Sequence, residues 1–516
     1  MYIISKKHYL RNGTKVLLSH FSILYYNSIM KKLKYKQKIL IEYFILLFVA
    51  IGFLLLFSLW TTPLLPKWYG CDASFFSMAG RGILEGWVPY VDFFDLKGPY
   101  FFMLQALGQL FCRGRLGIFI LQIPFLFLSL VLLYKLSLLY LSKKQSIFVI
   151  GTFLFVYIAM LWGGNTLEEY CLPVNLLCMY TATKMIKNED FAQLSKYSFL
   201  YGICFGSILF SKISVAAPLI GILATVGILL LLKKEYHRLF QYLLYFIGGL
   251  SAISFPVILY FGLKGALADM LYAVFIFAFR RSVDFGETFN LTWELKIFGC
   301  MFAMVFALLH KKEIQPGMRL LLILTSFITY VAMHFGTPFL YYFTTTLPVF
   351  IIAMILFLAV YRPLTIGTSL KQLVCIAIFI IFIGFYENQS MDTIKTVVND
   401  RDNESYASYY QNAVDLATFI PEWEKGDVYC FNVDMIWFEI NGILPSYKYP
   451  VNTPFFVALD ADIKEDIKNY LTNTPPKWIV ASNGIHEEMD FVGELLDEEY
   501  TPIASNDIGE LYLLKE

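Results

Sequence analysis

The chain is short of charge. Only 16% of its 516 residues are Asp, Glu, Lys or Arg, where a soluble domain carries about 25%. Its formal net charge is +1, which leaves no global basic field for nucleic acid. Its eight cysteines (Cys71, Cys112, Cys171, Cys178, Cys204, Cys300, Cys375, Cys430) are scattered, with no CxxC and no Cys/His cluster. That argues against a zinc site or a disulfide framework. Most sit in apolar runs, where a thiol acts as a small buried hydrophobe. No short-period repeat is evident. What fills the chain is apolar: 58% hydrophobic and 18% aromatic residues, with a mean hydropathy of +0.60. These values describe a polytopic membrane protein.

The first 41 residues hold nine Lys/Arg and no Asp or Glu. The uncharged run "YFILLFVAIGFLLLFSLW" (43–60) follows, with no small-residue cleavage site after it, so a retained signal-anchor is expected. "MKKLKYKQKIL" from Met30 has the form of a natural start, and residues 1–29 read as a mis-assigned extension. Apolar runs recur at about 43–60, 116–141, 146–162, 170–186, 197–211, 213–232, 239–261, 295–310, 319–335, 347–361 and 371–386, giving about eleven spans. Alternate loops are rich in Lys and Arg (142–145, 184–196, 233–238, 310–319, 361–371), and the turns at 163–171 and 334–346 have none. The positive-inside rule then places the N-terminus in the cytoplasm. Residues 61–115, 262–294 and everything after Glu387 fall outside. Three domains are expected: a basic cytoplasmic segment 1–41, a transmembrane domain 42–386 whose first outer loop is 61–115, and a soluble domain 387–516. In the last, "GDVYCFNV" (426–433), "PKWIVAS" (476–482) and "GELYLLKE" (509–516) read as strands. "ADIKEDIKNYLTN" (461–473) reads as a helix between them, so a small extracytoplasmic α/β domain is predicted. It has no glycine-rich phosphate loop and no nucleophile elbow.

The polar residues of interest fall on the expected outer face. In "YGCDASFFSMAGRGILEGWVPYVDFFDLKGPYFF" (69–102), the first part predicts an interfacial helix with Phe76, Ala79 and Ile83 as its apolar stripe. Asp72 at its start is either a helix cap or a chemical group. Asp92 and Asp95 are either solvated loop charges or ligands, and Lys97 either pairs with Asp95 or meets a substrate. Arg280 and Arg281 anchor a span end in the headgroups or bind phosphate through their forked geometry. Thr166 and Glu169 fit a capping box, while Glu168 at the same span end is a site candidate, for a sugar hydroxyl or for a divalent ion shared with Asp92 or Asp95. His334 is a packing residue or a substrate contact. Phe339, Tyr341, Tyr342 and Phe343 form an aromatic belt or stack on substrate, and Lys212 is placed to reach a lipid phosphate. The segment "MIWFEINGILPSYKYPVNTP" (435–454) is expected to pack the soluble domain onto the membrane part.

An Asp soon after the first span, an amphipathic loop, then Lys-x-Pro before an aromatic-rich segment resembles the GT-C membrane glycosyltransferases, in particular the protein O-mannosyltransferase and aminoarabinose-transferase branch. The residues that carry the resemblance are Asp72-Ala73 and Lys97-Gly98-Pro99-Tyr100. That branch has a second acidic residue after the Asp and Lys-Pro-Pro-Leu at the end of the loop, and both differ here. The resemblance spans about residues 40–390. It implies a GT-C-like polytopic α-helical fold that takes a sugar from a polyprenyl-phosphate donor and passes it, with inversion, to an acceptor hydroxyl outside the inner membrane. The acceptor is a glycan, lipid or protein of the cell envelope. On this reading Asp72 is the catalytic base, and Lys97, Asp92, Asp95, Glu168, Arg280, Arg281 and His334 are the candidate substrate-binding residues. A divalent cation stays open as cofactor. The alternatives are a lipid-linked sugar flippase or transporter, an envelope oligosaccharide polymerase, and a receptor-like protein acting through its tail. Acids gathered in one loop rather than in mid-span favour surface chemistry over transport.

Overall fold

The computed structural model describes residues 37–284, 291–335, 339–361, 369–399, 403–450, 453–482 and 489–516. The expected start at Met30 and the extension 1–29 lie outside the described residues, as do 285–290 of the arginine-bearing loop. The chain divides into a unit ending at Gly52 and one running from Phe53 to Glu516. In the first, residues 37–52 are helical. All that follows concerns the second.

Each of the eleven apolar runs is a helix. In chain order the first is α1 (Gln37–Phe57). Two further helices, α2 (Cys71–Leu84) and α3 (Pro99–Phe111), fill the loop before the next span. Then come α4 (Arg115–Leu138), α5 (Lys143–Leu161), α6 (Leu167–Lys187), α7 (Leu194–Leu209), α8 (Ala217–Leu232) and α9 (Tyr236–Leu263). A short α10 (Leu267–Leu271), a π-helical stretch (Tyr272–Phe277) and α11 (Ala278–Asp284) form the next loop. The remaining apolar runs form α12 (Leu291–Leu309), α13 (Pro316–Ala332), α14 (Leu347–Val360, preceded by a 3-10 turn from Leu340) and α15 (Leu370–Asn399). Among the described residues, seven helices are long and apolar enough to cross a membrane.

The first loop departs from the sequence reading in one respect. Helix α2 does not lie open at an interface with one apolar stripe. Residues Ala73 to Gly80 are all buried, with α3 on one side and the soluble domain on the other. The reason is in the sequence: Ala73, Phe75, Phe76, Met78 and Ala79 point in every direction around a 3.6-residue turn, and a helix that is apolar all round is buried. Gly80 permits the close crossing, since a Cβ there would stand 2.6 Å from the backbone of Gln105 on α3. Pro99 opens α3 at the first turn, where its missing N–H costs nothing.

The soluble domain holds the expected strands β1 (Val428–Phe431) and β2 (Trp478–Ala481), then β3 (Tyr500–Ser505) and β4 (Glu510–Leu514). The sheet order is β1-β2-β4-β3, with β1 and β2 parallel and the other pairs antiparallel. Of these, β3 was not legible, because its burial pattern shows one buried residue in six. Its helices are α16 (Glu404–Ala417), α17 (Ile436–Asn441), α18 (Thr453–Leu459), α19 (Ala461–Asn473) and α20 (Asp490–Glu499). The stripe Ile463, Ile467 and Leu471 of α19 is buried, as its spacing predicts. Segment 435–450 packs on the first loop. Ser77 Oγ donates to Glu439 Oε1 (2.9 Å), Arg81 to the Ile443 carbonyl (2.6 Å), and the Phe94 N–H to the Lys448 carbonyl (2.8 Å). Phe94 is the centre of the joint. Its ring lies 5.2 Å from Phe277, 5.3 Å from Tyr449 and 5.5 Å from Phe456, so three separate parts of the chain meet on one aromatic cluster.

Candidate active site

The turn before α3 holds a cation in a fixed place. Asp95 is buried and accepts the Lys97 backbone N–H through Oδ1 (2.8 Å) and the Lys97 ammonium through Oδ2 (3.3 Å). Tyr90 donates its hydroxyl to the Lys97 carbonyl (2.8 Å). Tyr90 itself sits at φ +72°, a strained setting for a bulky residue. Its N–H bond to the Phe93 carbonyl (2.7 Å) helps hold it there. Lys97 also lies 5.0 Å from the Phe76 ring centroid. Burial works to lower the Lys97 pKa, but Asp95 and Asp72 outweigh it, and the net shift is upward. Lys97 is therefore held as a cation at neutral pH.

Asp72 is in the first turn of α2, but it is not the cap. Gly70 is the N-cap residue and makes no side-chain cap bond. Instead Asp72 Oδ2 accepts the Tyr341 hydroxyl (3.1 Å), which turns the carboxylate toward α14. The N-terminal end of a helix favours its negative charge. Asp72, Asp95, Lys97, Arg281, Tyr341 and Tyr342 line one cavity of about 120 Å³, and the soluble domain adds Pro450 and Phe456 to its wall. A second cavity of about 70 Å³ shares Arg281 and Tyr342 with the first and is lined further by Glu168, Lys212, Ser214 and Thr345. In it Lys212 Nζ donates to Glu168 Oε1 (2.7 Å) and lies 3.2 Å from the Tyr342 ring centroid.

The structure brings Asp72, Asp95, Lys97 and Arg281 together and sets Glu168 in the adjoining cavity. Three candidates are elsewhere. Asp92 closes its own turn by accepting the Val88 N–H (2.6 Å). Arg280 is 53% exposed and pairs with Asp460 of the soluble domain (3.4 Å). His334 Nε2 meets Glu294 on α12 (2.9 Å) and lines neither cavity. The capping box is also modified. The Thr166 side chain makes no cap bond, and Glu169 accepts the Asn165 N–H (3.0 Å) and Gln122 (3.0 Å). Among the described residues no three His, Cys, Asp or Glu stand close enough to hold a metal ion. The carboxylates expected to share one are each engaged separately, Glu168 by Lys212, Asp95 by Lys97 and Asp92 by Val88.

Asp434, just before α17, is a neighbour that the sequence did not disclose. Burial pushes its carboxyl pKa up, and the charge of Asp72 adds to the shift. The Cys71 thiol between them is raised by burial and by both carboxylates.

Among solved structures, ArnT from Cupriavidus metallidurans bound to undecaprenyl phosphate matches 92% of this chain and 97% of its own, at a TM-score of 0.59 and 11% identity. The chain shares the fold of that ArnT. The apo form of the same ArnT matches 91% of this chain and 97% of its own, at a TM-score of 0.50 and 12% identity. No protein-family model and no curated protein sequence matches the chain. The departure from Lys-Pro-Pro noted in the sequence has a physical reason here. The Gly98 N–H donates to the Ser211 carbonyl (2.7 Å), and a Cβ on Gly98 would stand 2.0 Å from the Phe210 carbonyl oxygen. Proline lacks that N–H and brings that carbon.

Proposed function

We propose that this protein transfers a single sugar from a polyprenyl-phosphate donor to an acceptor hydroxyl on the outer face of the inner membrane, as a step in modifying a cell-envelope glycan, lipid or protein. The observation that carries the reading is the cavity in which Asp72, Lys97 and Arg281 converge. It supplies one base and two cations in a fold shared with a protein crystallised with undecaprenyl phosphate.

The chemistry follows from what each group holds. The acceptor O–H is a weak nucleophile at neutral pH. Asp72, oriented by the Tyr341 hydroxyl, takes its proton as the oxygen attacks the anomeric carbon. The bond from that carbon to the phosphate oxygen breaks on the opposite side, and its electron pair leaves with the polyprenyl phosphate. Lys97 and Arg281 stabilise the charge that develops on the phosphate, and the forked guanidinium suits its oxygens. Asp95 keeps Lys97 in place and charged. One displacement gives inversion. Attack and departure need opposite faces of the sugar, so the anomeric carbon must sit between Asp72 and the Lys97–Arg281 pair that faces the phosphate.

The test is purified protein in sealed proteoliposomes with radiolabelled sugars on polyprenyl phosphate and a cell-envelope extract as acceptor. The reading predicts labelled product with inverted anomeric configuration and release of polyprenyl phosphate. Movement of intact donor across vesicles without bond cleavage would contradict it and point to a flippase.

A further inference from the structure

The Glu168 cavity holds polar atoms that phosphate chemistry leaves idle. Glu168 Oε2 and Thr345 Oγ1 make no hydrogen bond, although both residues line the cavity. They are 1% and 2% exposed. A buried polar atom without a partner costs about 1–3 kcal/mol, and native proteins keep few of them. Glu168 Oε2 is an acceptor that calls for a donor, and the Thr345 hydroxyl both donates and accepts. Their natural partner is a ligand hydroxyl.

The charges set what kind of ligand. The other oxygen of Glu168 already holds the Lys212 ammonium, which is covered on a second side by the face of Tyr342. That pair cancels itself. Arg281 adds a cation on the wall shared with the Asp72 cavity. A free amine entering here meets two cations and a carboxylate that is already paired. A sugar carboxylate is acceptor-only and cannot give Glu168 Oε2 the donor it lacks. A neutral ring bearing hydroxyls meets neither penalty and satisfies both idle atoms.

We propose that the Glu168–Thr345 cavity is the donor-sugar subsite and that it selects a neutral monosaccharide over an amino sugar or a uronic acid. This rests on the transfer reaction proposed above, and it runs against the amino sugar that the aminoarabinose-transferase resemblance would bring. The test uses protein in nanodiscs with three donors on the same polyprenyl phosphate, carrying a neutral hexose, an amino sugar or a hexuronic acid. Binding of bare polyprenyl phosphate is measured alongside. The neutral donor is expected to be used at least tenfold more efficiently than either charged one. Thr345→Val, which keeps the shape and removes the hydroxyl, weakens the neutral donor about five- to tenfold, as for one lost hydrogen bond. Glu168→Gln does so more strongly. Thr345→Val leaves bare polyprenyl phosphate bound within about twofold, since it changes no charge. Preference for the amino sugar, or equal weakening of bare lipid and sugar-bearing lipid by Thr345→Val, would overturn the subsite. Bare lipid bound normally with no transfer from any donor would instead defeat the reaction on which it rests.

Discussion

Gly98 gives the sharpest structural prediction, because the residue expected there from the GT-C resemblance is the one this chain cannot hold. A Cβ on Gly98 lies 2.0 Å from the Phe210 oxygen and 2.2 Å from its carbon, where ordinary contact begins at 3.4 Å. The two backbones must separate by about 1.4 Å, the difference between those distances. Neither partner is a flexible side chain end. Overpacking of this kind costs about 1–3 kcal/mol. Separation also stretches the bonds from Gly98 N to Ser211 O (2.7 Å) and from Tyr100 N to Phe210 O (3.1 Å), each worth about 1 kcal/mol. Gly98→Ala is thus expected to lose about 2–4 kcal/mol of stability, and Gly98→Pro more, since it deletes the first bond outright. The neighbouring Lys97 moves with the backbone, and a displacement near 1 Å at a binding group costs about 100-fold in rate. The control is Gly151→Ala on α5, where a Cβ meets nothing within 4 Å. That change is expected to be neutral or stabilising by up to about 1 kcal/mol. Thermal unfolding of purified protein in detergent reads the first effect, and sugar transfer reads the second. Wild-type melting and transfer by Gly98→Ala would refute the reasoning.

Three other outcomes follow from the same geometry. Arg281→Ala is expected to lose about 10²–10³ in kcat. Arg280→Ala stays within about threefold, because an exposed pair is worth little; steady-state kinetics of the two variants separates them. His334→Ala is expected to transfer sugar at close to the wild-type rate while melting earlier, since its partner is Glu294 and not a cavity residue. Asp434→Asn should raise the melting temperature at neutral pH. The folded-state pKa of Asp434 lies above the unfolded value, so its charge costs stability above the folded pKa and costs nothing below the unfolded value, near 3.9. The gain from Asn should therefore shrink as the pH falls toward 4, which melting curves across pH 4–8 will show.

The apolar runs were legible as helices, because a long uncharged run closes its backbone hydrogen bonds most simply within itself, and seven of the described helices are long and apolar enough to cross a membrane. Asp72 and Lys97 stood out because their loop, with an Asp soon after the first apolar run and Lys-x-Pro at its end, has a recognisable form. Adjacent Arg280 and Arg281 were not separable, since neighbours on a helix diverge by about 100° and only packing chooses which one faces the cavity. Asp92 and Asp95 read alike, but a non-helical turn sent one to Val88 and the other to Lys97. Asp434, Pro450 and Phe456 were out of reach, because the docking of the soluble domain through Phe94 brings them in. Local pattern carries no record of a contact made between distant segments.

The measurement that bears most directly on the account is single-turnover sugar transfer by Asp72→Asn beside wild type, with donor binding measured in the same preparation. The account predicts normal donor binding and a rate lower by about 10²–10⁴. Transfer by Asp72→Asn at the wild-type rate would contradict it.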